Sequence, residues 1–160
     1  MSATRFQYLC EEACELLDVP RFAMAPDVEG TLAYHLERGG VMVNVMHFPP
    51  RCEDHAFMLF ELGPIPHEDP RAGAIALALL DANFVSPDPY PPALGRDPES
   101  GEAILRCVFP LVDATAGGLV EAIDRGVAVA RRWRRDYFLP VQPPLSGTGR
   151  SALAGERSIA

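Results

Sequence analysis

A pair of adjacent glycines, Gly39 and Gly40, lies between two runs of alternating apolar residues and constrains the fold more than any other feature of the sequence. The alternating residues are Leu32, Tyr34 and Leu36 before the pair, and Val41, Val43 and Val45 after it. Alternation with a period of two is typical of half-buried strands, and two glycines supply the positive φ angles of a tight hairpin turn. The pattern therefore predicts an antiparallel β-hairpin.

An amphipathic helix and a third strand flank this hairpin. Apolar residues recur at helical spacing over about residues 4–18, with acidic residues on the other faces, and Pro20 marks the end of that helix. Residues 55–63, HAFMLFELG, are apolar in both phases of a strand. We expect this third strand to be covered on both faces.

The second half of the chain shows a helix, a second hairpin and a final helix. Asp69 and Pro70 match the cap and the first position of a helix that is rich in alanine and glycine. Residues 97–101, DPESG, form a predicted turn between two strands, since aspartate, proline and glycine each favour a different turn position. The last helix is predicted to begin at Asp113 or Thr115 and to end in a solvated group of arginines.

These elements predict an α+β fold in the order α-β-β-β-α-β-β-α, with an antiparallel sheet packed with helices. Residues 1–139 are interpreted as a single domain, since a chain of 160 residues is long enough to bury a core without disulfides or metal. Residues 140–160 are rich in proline, glycine and serine and show no core pattern, so they are predicted to be a flexible tail.

The composition narrows the classes of partner and the compartment. The formal net charge of -8 argues against nucleic acid and anionic membranes as partners. The first residues lack the pattern of a secretory signal, and no apolar run is long enough to insert into a membrane, so we expect a cytoplasmic protein. In that compartment the four cysteines are expected to be free thiols.

Two groups of residues are candidates for a chemical site. Asp97, Glu99 and Glu102 fall on or beside an exposed turn, where carboxylates seldom acquire the shifted pKa values that catalysis needs, so a turn is favoured. His47, Cys52 and His55 define the alternative hypothesis of a small metal-binding or catalytic domain, because Cys52 and His55 have a spacing that zinc ligands can use. No further ligand motif supports that alternative, and no catalytic motif is found, so the chain is interpreted as a binding protein and not an enzyme.

Two segments resemble the Tir chaperone (CesT-type) family, whose members are small chaperones of bacterial type III secretion systems. The segment LALLDANF, residues 77–84, matches the Leu-Leu-x-x-Asn end of the second helix in that family. The segment LGRDPESGEAILRCVFPL, residues 94–111, matches the turn and strand that follow, and the final helix carries Trp133.

The resemblance implies a homodimer without enzymatic activity or cofactor. Its implied partner is a secreted effector protein whose N-proximal segment is bound in extended form and kept export-competent, and the ATPase of the secretion system is a further candidate partner. The predicted effector-binding residues are Phe6, Leu9, Leu32, Tyr34, Val43 and Val45. The predicted dimer interface contains Ile75 and Leu79.

Overall fold

The computed structural model of this chain describes residues 3–21, 23–84 and 90–140, which hold three α-helices and five β-strands in the predicted order. The helices are Ala3–Leu17 (α1), Ala72–Asp81 (α2) and Ala116–Asp136 (α3). The strands are Leu32–Arg38 (β1), Val41–Phe48 (β2), Cys52–Pro64 (β3), Ala93–Arg96 (β4) and Glu102–Pro110 (β5). Apart from Pro140, the predicted tail lies outside the described residues, as do residues 85–89 of the proline-rich loop before β4.

The strands form one antiparallel sheet in the order β1-β2-β3-β5-β4. The predicted first hairpin is confirmed, with Arg38 opposite Val41 and with φ angles of 57° at Gly39 and 78° at Gly40. Both angles lie in the region that glycine adopts without strain, which explains the glycine pair. The β1–β2 register is thereby set by the turn.

The core lies between one face of the sheet and helices α1 and α3. Alternate residues of β1, β2 and β3 are buried on this face, and Trp133 of α3 is among the largest of the fully buried side chains. Phe60 of β3 is also fully buried, and it packs where Gly126 leaves no side chain on α3. The close approach of α3 to the sheet therefore depends on this glycine.

The start of α2 differs from the prediction. Asp69 does not cap the helix: α2 begins at Ala72, its N-cap residue is Arg71, and no side chain caps it. The Asp69 carboxylate instead accepts a hydrogen bond of 2.7 Å from the Arg71 amide and pairs with the Arg71 guanidinium at 2.8 Å. Both interactions lower the pKa of Asp69, which is about 2. The hydrogen bond from the Arg71 side chain is the larger cause, and the bond from the Arg71 amide is the second. The carboxylate thus stabilises a turn that contains Pro70, and the helix follows that turn.

The other two local predictions in this half are confirmed. Thr115 is the N-cap of α3, and its hydroxyl accepts a 3.1 Å hydrogen bond from the Gly118 amide. Asp97 accepts hydrogen bonds of 2.9 Å from the Glu99 amide and 2.8 Å from the Ser100 hydroxyl. The hydrogen bond from the Glu99 amide is the main cause of the lowered pKa of Asp97. Residues 97–101 therefore form the β4–β5 turn, and the Asp97 carboxylate stabilises it.

One member of the arginine group at the end of α3 has a role that the sequence did not reveal. The Arg134 guanidinium donates hydrogen bonds to the carbonyl oxygens of Leu62 at 2.8 Å, Glu61 at 2.8 Å and Gly40 at 2.5 Å. A guanidinium presents several donors in a planar array, so it can hold the end of β3 and the β1–β2 turn together. Arg134 thus connects three segments that are distant in the sequence.

Candidate functional site

The second face of the sheet carries apolar side chains that the core does not use. Along β2 and β3 the residues between the buried positions are mostly half-buried. They are absent from the core cluster and from the partly buried residues packed against it. The apolar residues of this outer sheet face are Met42, Met46, Phe48, Phe57, Leu59, Ile104 and Val108. Asn44, Glu61 and Arg106 lie between them on the same face. A face that carries several apolar side chains outside the core is a candidate surface for a partner.

The geometry of the outer sheet face suits side chains that arrive from a partner. Phe48 and Phe57 meet edge to face with their ring centroids 5.8 Å apart. A shallow groove of about 450 Å³ lies farther along the face, where Asn44, Leu59 and Ile104 meet β4. Methionine and aromatic side chains adapt to varied apolar partners, so the face can accept different sequences.

At Leu94 the β4 edge of the sheet is occupied by a side chain. The Asn83 amide donates a 3.0 Å hydrogen bond to the carbonyl oxygen of Leu94, and its oxygen accepts a 2.7 Å bond from the Leu94 amide. These are the groups that an added strand would use for pairing. Asn83 therefore replaces a neighbouring strand, which gives the Leu-Leu-x-x-Asn motif a structural explanation.

All eight predicted binding residues are buried in the protomer. The exposed fraction is 7% for Leu9, the largest value in the effector-binding set, and Ile75 and Leu79 are buried on α2. The remaining members of the effector-binding set are Phe6, Leu32, Tyr34, Val43 and Val45. Their contact with a client or a partner chain stays a prediction, since the protomer shows them only in core packing.

None of the predicted binding residues lies on the outer sheet face, although the sequence carries a signal for it. Both phases of β3 are apolar, and this pattern predicts cover on both faces of that strand. Among the elements of residues 3–21, 23–84 and 90–140, only the face toward α1 and α3 is covered, and the outer residues of β3 are half-buried. The expectation of cover on both faces of β3 is therefore wrong within these described residues.

The three residues of the metal or catalytic alternative do not converge. His47 is fully buried against Phe6, and its Nδ1 donates a 3.1 Å hydrogen bond to the carbonyl oxygen of His55. The His55 imidazole packs against Tyr90 instead, with the rings tilted by 56°, and its Nδ1 lies 3.6 Å from the Cys52 sulfur. No group of three potential metal ligands occurs in the described part of the chain. The proposed three-residue site is therefore not formed.

None of the four cysteines, all of which lie in the described part of the chain, forms a disulfide. Cys10 and Cys14 are buried on α1, and burial is the main cause of the raised pKa of each thiol. A raised pKa leaves little of the reactive thiolate at neutral pH. These two residues serve the core and offer no nucleophile.

The helix order, the sheet topology and the packing of α1 and α3 on one face define the class of small α+β secretion chaperones. The family model of the Tir chaperone protein (CesT) family matches residues 33–134, and the chain belongs to this family. The resemblance found in the two sequence segments is thus confirmed. No curated protein matches the chain by sequence.

Several solved structures share this fold. A chain in the ExoT–SpcS complex of Pseudomonas aeruginosa is 23% identical, with a TM-score of 0.55, and the match covers 82% of this chain and 98% of that one. The match to the Yersinia pestis type III secretion chaperone SycH, bound to a fragment of YscM2, has 16% identity and a TM-score of 0.57, and covers 79% and 98%. The HopA1–SchA chaperone–effector complex matches with 16% identity and a TM-score of 0.56, covering 85% and 99%.

Proposed function

We propose that this protein is a type III secretion chaperone that binds the N-proximal segment of an effector in extended form and keeps it stable and competent for export. It acts by binding and not by catalysis. The observation that carries this proposal is the outer sheet face, whose half-buried apolar side chains are separate from the core. Family membership supports the same function.

An extended segment fits this surface for a physical reason. In an extended chain alternate side chains point to the same side, so successive apolar residues can reach the Phe48–Phe57 pair and the groove beside Leu59. Binding by side chains in shallow grooves tolerates different client sequences. A client held in this way cannot bury the same residues in its own core.

The complex of chaperone and client forms in the bacterial cytoplasm under this proposal. The ATPase of the secretion system then receives the client from the chaperone. No helix among residues 3–21, 23–84 and 90–140 is both long and apolar enough to cross a bilayer.

The client is identified by native mass spectrometry of the protein purified gently from its own host under secretion-inducing conditions. Two copies of the chain with one secreted polypeptide are expected, and a protein that carries no polypeptide would contradict the proposal.

Phe57→Asp is expected to weaken binding of that client by roughly 100-fold, because it removes a buried contact worth about 2 kcal/mol and places a charge at an apolar interface. Binding of the client's N-terminal segment is measured by calorimetry. The matched control is Val28→Asp, which adds the same charge at a fully exposed apolar residue outside the sheet. Equal affinities for both variants, with the fold intact by circular dichroism, would rule out this face.

The proposed homodimer has a candidate surface on α2. Leu77 and Leu80 are 60% and 63% exposed there, beside the predicted interface residues Ile75 and Leu79, which are buried. The small residues Gly73 and Ala76 are also exposed on α2 and would let another helix approach closely. A partner chain can reach these exposed residues without opening the core.

Leu77→Asp is therefore expected to convert a dimer into a monomer across the micromolar range, because it places a charge at a two-fold apolar contact. Sedimentation velocity measures the mass. Leu16→Asp is the control, since Leu16 is 63% exposed on α1. A dimer that survives Leu77→Asp but dissociates with Leu16→Asp would move the interface to α1.

A further inference from the structure

A groove on the helix side of the sheet shares only Val108 of its lining with the outer sheet face. It has a volume of about 890 Å³ and lies between α3 and β5, with α2 and the segment before β4 as its other wall. Three aromatic side chains line it, from Tyr90, Phe109 and Phe138. Aromatic-lined grooves are the usual receptors for proline-rich segments in the polyproline II conformation.

The chain leaves its last helix at this groove. Helix α3 ends at Asp136, and the next two residues, Tyr137 and Phe138, have φ angles of 52° and 59°. Phe138 packs on Trp133 with ring centroids 5.4 Å apart, so the turn is held against the core. Pro140, the last described residue, is itself part of the groove wall.

The sequence that follows has the composition that such a groove binds. Residues 141–145 are Val-Gln-Pro-Pro-Leu, so Pro140 and Pro143 have the spacing of a PxxP segment. Five residues in the polyproline II conformation extend about 15 Å. Proline lowers the entropy that the segment loses on docking, and the covalent connection at Pro140 gives it an effective concentration of about millimolar or more.

We propose that residues 141–145 of this chain dock in the groove between α3 and β5 of the same protomer, in the polyproline II conformation. Residues 141–145 lie beyond residues 33–134, which match the family model, and their docking does not depend on the proposed function. The other possible occupants are a second copy of the chain and a client. Each of them gives a different result in the test below.

The test uses the reactivity of Cys107, a half-buried thiol in the groove wall, in the full chain. Cys52→Ser is introduced throughout, because Cys52 is also partly exposed. The tail variant combines Pro143→Gly, Pro144→Gly and Leu145→Asp, and it is expected to react with a thiol reagent at least roughly tenfold faster than the parent. The control is Leu153→Asp, which changes an apolar residue farther along the tail and is expected to react like the parent.

Three results would overturn the proposal. Equal rates for the parent and the tail variant would show that residues 141–145 do not cover the groove. Protection that rises with protein concentration and survives the tail variant would assign the groove to a second copy. Protection that appears only when the client is added would assign it to the client.

A cross-linking experiment provides an independent measurement. A photo-reactive residue at position 145 is activated in a mixture of ¹⁵N-labelled and unlabelled full-length protein. Cross-links to peptides of β5 or α3 within one isotopic species are expected. Cross-links only between the two species would contradict docking within a protomer.

Discussion

Gly126→Leu is expected to prevent the chain from forming its native core, and Gly126→Ala to lower the free energy of unfolding by about 2 kcal/mol. A Cβ atom built at Gly126 overlaps the ring of Phe60, which is fully buried. Helix propensity alone predicts the opposite sign for alanine, a gain of about 1 kcal/mol. Urea unfolding at a fixed protein concentration measures the effect, and thermal unfolding should show a decrease of roughly 4–8 °C for alanine.

Gly117→Ala is the matched control on the same helix, because a Cβ atom there meets nothing within 4 Å. We expect it to leave stability unchanged or to raise it by up to about 1 kcal/mol. Phe60→Leu provides the second test, since a smaller side chain makes room for alanine at position 126. The double variant should therefore be more stable than the sum of the two single effects predicts. A stabilising Gly126→Ala would refute the close contact.

Arg134→Met is expected to lower the free energy of unfolding by about 2 kcal/mol. Methionine keeps an apolar stem but loses the three hydrogen bonds to the carbonyl oxygens of Gly40, Glu61 and Leu62. This loss is near the lower end of the range for hydrogen bonds from a charged donor. Two of the three hydrogen bonds, those to Gly40 and Glu61, are exposed to solvent, which weakens them. Arg134→Lys should recover less than half of the loss, since an ammonium group lacks the planar array of donors.

The control for Arg134 is its neighbour Arg135. Its guanidinium pairs with Asp136 at 3.2 Å on an exposed surface, and such pairs contribute little. Arg135→Met should change stability by less than about 0.5 kcal/mol. Similar losses for both variants would mean that the general charge of the helix end matters and that the carbonyl contacts do not. Hydrogen exchange at Gly40 and Val41 should also accelerate only in the Arg134 variant.

The element order could be predicted because its signals are local. The hairpin at Gly39 and Gly40 and the cap at Thr115 each depend on residues that are close in the sequence. Asp69 shows the limit of this approach, since a cap and a turn share the same sequence signal. Its carboxylate joins Arg71 only two residues on, and no sequence rule excluded that partner.

The candidate site was less predictable, because burial depends on contacts between distant segments. Val43 and Met42 are both apolar, and alternation alone cannot say which phase of β2 faces the helices. In the structure the valines of β2 face the core, and the methionines lie on the outer sheet face. The contact from Arg134 to Leu62 joins residues 72 positions apart, and no local sequence pattern can indicate such a contact.

The amide of Asn83 has a consequence for how this protein can associate with itself. It occupies both pairing groups of Leu94 in the edge strand β4, so a strand from another chain cannot pair with β4 at that residue. Continuous cross-β growth needs uninterrupted pairing at both edges of every sheet. One side chain just after the end of α2 thereby interrupts the β4 ladder that such growth would use.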